Sequence, residues 1–244
     1  MLFLHGFPHN RGLWAPQTSA LVGRARCIAP DLRGFGDTDA VPPYSMDQYA
    51  DDAAALLDAL GVDCAVVAGL SMGGYVAFAF WRRHAARVRA LVLADTRAGP
   101  DSDEARGRRR ELIALAQSAG AAAVAETQID GMVGKTTRAQ RPEVRQAVHA
   151  MLSAAPVEGI VGALEAMLAR PDSTPTLKTI SVPTLVIVGD EDVLTPVKEA
   201  RAMHEAVAGS RLEVLAGAGH LSNFERPAAF NHAMHDFLTT VDQR

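Results

Sequence analysis

Residues 65–80 read AVVAGLSMGGYVAFAF. The first six are apolar and suit a strand covered on both faces, and the stretch beyond Gly73 suits a buried helix. Between them the chain must reverse sharply around one hydroxyl, Ser71, set among Gly69, Gly73 and Gly74. Glycines at such a corner let strand and helix approach where a Cβ would collide, and they accept backbone angles closed to other residues. A strand running straight into a helix implies a crossover to a parallel neighbour, so this corner points to an α/β sheet.

The rest of the chain repeats the rhythm. Further short apolar runs lie at 1–5, 26–30, 89–94, 184–189 and 211–215, with helical patterns at about 13–22, 46–60, 73–86, 197–208 and 226–240. The second helix has Ser45 as its cap, Gln48 placed to reach back, and Gly61 as its stop. The expected fold class is α/β, a doubly wound and mostly parallel sheet with right-handed crossovers. The alternation breaks between 97 and 183, where helical pieces at about 102–118, 120–130, 142–153 and 157–169 carry no Phe, Tyr or Trp. The expected organisation is a core of 1–96 and 184–244 with a helical lid, 97–183, inserted between two strands.

With 244 residues the chain can bury a sizeable core, and its net charge of −4 provides no basic footprint for nucleic acid. The run RGRRR at 106–110 is offset by acids at 101–104 and reads as a solvated helix face. No apolar run is long enough to cross a membrane, and the first residues lack the charged start of a signal peptide. Cys27 and Cys64 fall in strand-like runs and read as buried free thiols, which favours a reducing, cytoplasmic setting. His232 and His235, three apart on the last helix, read as solvated or packing residues rather than as metal ligands. No metal and no cofactor is expected.

Ligands of open parallel sheets bind beyond the carboxyl ends of the strands. The residues standing there are His5, Gly6 and Phe7, then Asp31 and Arg33, Ser71, Asp95, Asp190 to Asp192, and His220. A serine, a histidine and several acids on one rim are the inventory of a hydrolytic triad. Gly69-Leu70-Ser71-Met72-Gly73 also fits G-x-S-x-G, a turn that exposes a serine between strand and helix.

HGFP at 5–8, DLRGFGDTD at 31–39, GLSMGG at 69–74, GDEDVLTP at 189–196 and GAGH at 217–220 occur in the order found in the α/β-hydrolase superfamily. The chain resembles its small bacterial carboxylesterases and the related enol-lactonases. DTRAGPDSDEARGRRR at 95–110 and RPDST at 170–174 resemble the lid of one esterase group. The resemblance implies Ser71 as nucleophile, His220 as general base and Asp192 as the acid that orients it, with Asp95 the rival for that last role. It implies an oxyanion hole from the backbone N–H groups of Phe7 and Met72. Phe7, Met132, Met151 and Met167 are candidates for the substrate pocket, and His5, Asp31 and Arg33 read as structural. No arginine or lysine is assigned to a charged substrate.

Family members carry about two antiparallel strands before HG, and here Met1 lies four residues ahead of His5. The expected sheet therefore lacks those strands, leaving the run at 26–30 on an edge guarded by Arg24 and Arg26. Either a monomer or a homodimer joined at that edge would follow. The implied activity is hydrolysis of small carboxylic esters with short to medium acyl chains. A lactonase acting on an enol-lactone or acylated lactone is the alternative. Perhydrolase or haloperoxidase activity, or a small-molecule receptor with an intact triad, stand behind it.

Overall fold

The computed structural model describes residues 1–243. Strands β1 (Leu2–Leu4), β2 (Ala65–Leu70), β3 (Val88–Ala94), β4 (Thr184–Gly189) and β5 (Arg211–Leu215) form one parallel sheet in that spatial order. Eleven α-helices are described: α1 (Ala15–Ala20), α2 (Met46–Ala59), α3 (Met72–His84), α4 (Asp103–Met132), α5 (Lys135–Gln140), α6 (Pro142–Ser153), α7 (Val157–Ala169), α8 (Thr174–Leu177), α9 (Val197–Ala206), α10 (Ser222–Glu225) and α11 (Pro227–Asp242). No single helix among the described residues is long and apolar enough to cross a membrane.

Both faces of the sheet are covered. Leu91 and Leu93 of β3 pack with residues of α2, α3 and α9, while Ala90, Val92 and Ala94 pack with Trp14 and with Phe230 and Phe237 of α11. Two buried faces are why β1, β2 and β4 are buried throughout and do not alternate, whereas β5 (RLEVL), at the sheet edge, is only partly covered and carries Arg211 and Glu213. Across the sheet Leu4 stands opposite Gly69, Leu70 opposite Ala94 and Gly189 opposite Leu215. That register brings the strands' carboxyl ends to one rim.

Three details depart from the sequence reading. The run at 26–30 is not a strand: Ile28 alone bridges Leu2, through Ile28 N–H to Met1 O and Phe3 N–H to Ile28 O, both 2.8 Å. β1 offers only three residues to pair with, and Pro30 has no N–H to extend the ladder. The Ser45 hydroxyl does cap α2, accepting from Gln48 N–H at 2.9 Å, but the Gln48 side chain donates to Asp52 instead of reaching back. Cys64 is exposed rather than buried, because it lies in the turn before β2; Cys27 is half-buried.

Between β3 and β4 the chain is helical, from α4 to α8. Gly120, at φ 78° and ψ −179°, kinks α4 between its two halves. The α3 axis crosses β1 so closely that a Cβ on Gly73 would stand 2.0 Å from the Leu4 carbonyl oxygen. Gly107, in α4, has nothing within 4 Å of such a Cβ. Gly73→Ala should therefore destabilise the fold by about 3 kcal/mol or more, as overpacking against fixed backbone does. Gly107→Ala should stabilise it by about 0.5–1 kcal/mol through helix propensity alone. Urea unfolding of the two variants checks both signs.

Candidate active site

Ser71 leaves β2 with φ 54° and ψ −115°, a conformation unfavourable for any residue with a Cβ. Three hydrogen bonds hold it there. Its N–H donates to Ala94 O at 3.0 Å, and its carbonyl accepts from Gly74 N–H at 2.9 Å and from the Thr96 hydroxyl at 2.8 Å. The glycines around it are required by space: a Cβ on Gly69 would lie 2.2 Å from Gly73 O, and one on Gly74 would lie 2.4 Å from Thr96 Oγ1.

The turn aims the Ser71 hydroxyl at His220, whose Nε2 lies 2.8 Å from Ser71 Oγ. Nδ1 of the same ring lies 2.9 Å from Asp192 Oδ2. With the ring proton on Nδ1 donating to Asp192, Nε2 accepts the serine hydroxyl. Asp192 is itself fixed. Its Oδ1 accepts from Leu194 N–H at 2.8 Å and Thr195 N–H at 2.9 Å, and its Oδ2 from the Thr195 hydroxyl at 2.6 Å. Burial by itself would raise the Asp192 pKa, but the charge and hydrogen bond of His220 and the bonds from Thr195 bring it below the usual carboxylate value. Burial likewise works against protonated His220, and Asp192 overcomes it, so the imidazole pKa is raised above 6.5.

Asp95 also reaches this rim, at φ 44°, but faces elsewhere. Its carboxyl accepts from Gly189 N–H at 3.0 Å and from the N–H and hydroxyl of Ser222 at 3.1 and 2.6 Å. Complete burial, and then the nearby Asp192 charge, push its pKa well up. His5 accepts from Leu32 N–H at 3.0 Å and is held near pKa 4, chiefly by burial. His9 is buried with neither ring nitrogen paired, and burial lowers its pKa to about 3. Asp31 pairs with Arg11, and Arg33 makes two bonds to Asp52.

Gly6 lies against Ser71, its Cβ position 3.3 Å from that of the serine, which brings Phe7 beside the hydroxyl. As the first residue of α3, Met72 has no intrahelical acceptor for its N–H. Among the described residues neither Met72 N–H nor Phe7 N–H has a hydrogen-bond acceptor in the protein.

A cavity of about 430 Å³ opens over Ser71 and His220. Phe7, Met132 and Met167 line it, but Met151 does not. Its sulfur lies 3.8 Å from where a Cβ on Gly12 would stand, and the side chain packs against the core cluster that includes Trp14 and Phe230. Three arginines line the cavity, Arg97, Arg108 and Arg109, and no carboxylate does among the described residues. The sequence reading assigns no arginine to this pocket; the fold places three there. Arg97, Arg108 and Arg109 fall in the lid-like stretch 95–110, but nothing in that stretch shows that they face the cavity, whereas Thr195, three residues after Asp192, could have been read from the sequence as a local carboxylate partner.

The insert is tied to this rim by two acids. Glu191, next to Asp192, accepts from Thr136 N–H at 2.8 Å and its hydroxyl at 2.6 Å. Glu225 is fully buried and accepts from Gly219 N–H at 2.9 Å, Leu221 N–H at 3.2 Å and Gly134 N–H at 2.8 Å. It thereby clamps both neighbours of His220 and joins them to the start of α5.

A family model for the alpha/beta hydrolase fold matches residues 1–227. The chain belongs to the α/β-hydrolase family. This α/β hydrolase is 32% identical over 235 residues to 3-oxoadipate enol-lactonase 2 of Acinetobacter baylyi, covering 96% of this chain and 86% of the relative. Among solved structures it superposes on a thermophilic esterase from Thermogutta terrifontis, determined with malate bound. The TM-score is 0.95 and the identity 41%, over 98% of this chain and 89% of that one. The enol-lactonase of Burkholderia xenovorans gives a TM-score of 0.90 at 32% identity, over 98% and 90% of the two chains.

Glu225→Gln should lower stability by about 1–3 kcal/mol, because an amide N–H₂ would then face one of the three buried N–H donors. A urea melt shows it. An unchanged midpoint would mean that the clamp contributes nothing.

Proposed function

We propose that this α/β hydrolase cleaves carboxylic esters with short to medium acyl chains through an acyl-enzyme on Ser71. The observation that carries the reading is the continuous hydrogen-bonded line from Ser71 Oγ through His220 to Asp192, opening into a cavity under the helical insert. Ser71 Oγ attacks the ester carbonyl as His220 Nε2 takes its proton. The oxygen of the tetrahedral intermediate is received by the N–H groups of Phe7 and Met72, the second at the positive end of α3. His220 then returns the proton to the leaving alkoxide. A water molecule, deprotonated by the same nitrogen, attacks the acyl carbon, and the proton passes from His220 to Ser71 Oγ as the acid leaves. Asp192 holds the imidazole's tautomer and favours its charged form. The insert acts as a lid, with Met132 and Met167 as adaptable apolar walls.

A lactonase reading uses the same atoms, with the leaving alkoxide tethered to the acyl group. The similarity to two enol-lactonases favours keeping it beside the first. A p-nitrophenyl acyl series run against a lactone panel ranks the two.

Ser71→Ala and His220→Ala should each reduce kcat by on the order of 10⁶-fold, as for other nucleophile–base pairs that act as a unit. Ser71→Ala should also abolish labelling by a phosphonate; retained label would refute the assigned nucleophile. Only neutral His220 can accept the serine proton. Since the imidazole pKa is raised above 6.5, kcat/KM should rise with pH through a midpoint above that value. Asp192→Asn removes the main cause of the rise, leaving the through-space pull of Asp95 and Glu225. It should move the midpoint down and lower kcat about 10⁴-fold, because the ring loses its tautomer control. A pH–rate profile of both proteins tests this.

A further inference from the structure

The cavity wall carries a cluster of charge that the hydrolytic chemistry does not use. Asp101 has its side chain only 1% exposed and accepts from three guanidinium groups. Arg97 donates at 3.2 Å, Arg109 at 2.6 and 3.2 Å, and Arg170 at 2.9 Å. Burial would raise the Asp101 pKa, but hydrogen bonds and charge from Arg109 and Arg170 hold it at about 2. It therefore contributes one negative charge at any working pH, and the cluster keeps a formal excess of two positive charges. Arg108, the third arginine on the cavity, is matched by Glu104 at 2.6 Å. Glu199 also acts on Arg97 through space without bonding to it.

The cluster is built, not incidental. Arg170 is nearly buried and lies over the ring of Tyr75, 4.1 Å from its centroid. The Nε–H groups of Arg97 and Arg170 are buried without an acceptor. Arg97, Arg109 and Tyr75 all face the same cavity as Ser71 and His220. Tyr75 is one helical turn beyond Ser71, about 5–6 Å along α3. Leaving two positive charges partly desolvated beside an apolar pocket is unfavourable unless an anion joins them.

We propose that the substrate carries a carboxylate, which docks on Arg97 and Arg109 while its ester carbonyl sits at Ser71. The inference rests on the ester-cleaving reading of this site but is tested apart from it, by binding to Ser71→Ala protein that cannot turn over. The carboxylate could lie on the acyl side, as in monomethyl glutarate, or on the alcohol side, as in 4-acetoxybutyrate. Each is compared with its own neutral methyl ester by calorimetry.

In at least one of the two pairs the anion should bind about ten- to hundredfold more tightly, the range expected for charged hydrogen bonds. That ratio should collapse towards one in Ser71→Ala/Arg97→Gln and in Ser71→Ala/Arg109→Gln, and recover in part in Ser71→Ala/Arg109→Lys. It should also shrink with added salt in the single variant, a reading that needs no further substitution. Equal affinity for anion and neutral ester in both pairs would overturn the proposal. So would a preference that is insensitive to salt. If wild-type protein hydrolyses none of the four compounds while the binding preference holds, the ester-cleaving reading fails and the anion site stands.

Discussion

The positive φ of Ser71 is the constraint on which the rest of the site is built. A serine held there projects its hydroxyl clear of both strand and helix, and that posture is unstable alone. It persists because β3 lies alongside, supplying Ala94 O and the Thr96 hydroxyl, and because three glycines remove the atoms that would collide with β1 and with Thr96. The corner is thus set by strand order. Without β1 on one side and β3 on the other, the same residues would have no reason to turn in this way.

The other two segments of the site are held by buried acids acting on backbone. Asp192 is fastened by Thr195 and Leu194, and the His220 loop by Glu225. Glu225 and Glu191 also grip the chain between α4 and α5. The insert is therefore not an independent cover resting on the sheet. Its attachment shares carboxylates with the loops that carry the imidazole and the acid. Displacement of the α4–α5 junction must strain the loops on which any proton transfer depends.

Much of this was legible in the sequence, for identifiable reasons. Strands buried on both faces write continuous apolar runs, and four of the five strands end where such a run meets Gly, Ser, Asp or His. The run at 26–30 has the same composition and failed as a strand, because pairing depends on the length of its neighbour and on Pro30. The residues that meet at the rim could be named because each follows a strand end in the chain. The charge cluster could not. Arg97, Asp101 and Arg109 lie in the stretch 95–110 and Arg170 opens 170–174, but their meeting at the cavity wall depends on how α4 and α7 pack, which the spacing within either stretch does not show. Met151 shows the converse. A methionine in an insert helix is equally suited to wall or core, and only the rotation of α6 decides.

Two acids at one rim raise the question of why the site is not overloaded with negative charge. Burial separates them. Asp95 is enclosed completely and lies close to Asp192, and both effects favour its neutral form. Asp192 has the imidazole and the Thr195 donors, which favour its charged form. Asp192 is thus the carboxylate that His220 meets directly, on the side where Nδ1 points, while Asp95 and the buried Glu225 act on the ring only through space. The Asp95 carboxyl serves instead as a buried brace between Gly189, at the end of β4, and Ser222, two residues beyond His220. That brace keeps the strand that leads into Asp192 and the loop that carries His220 at a fixed separation.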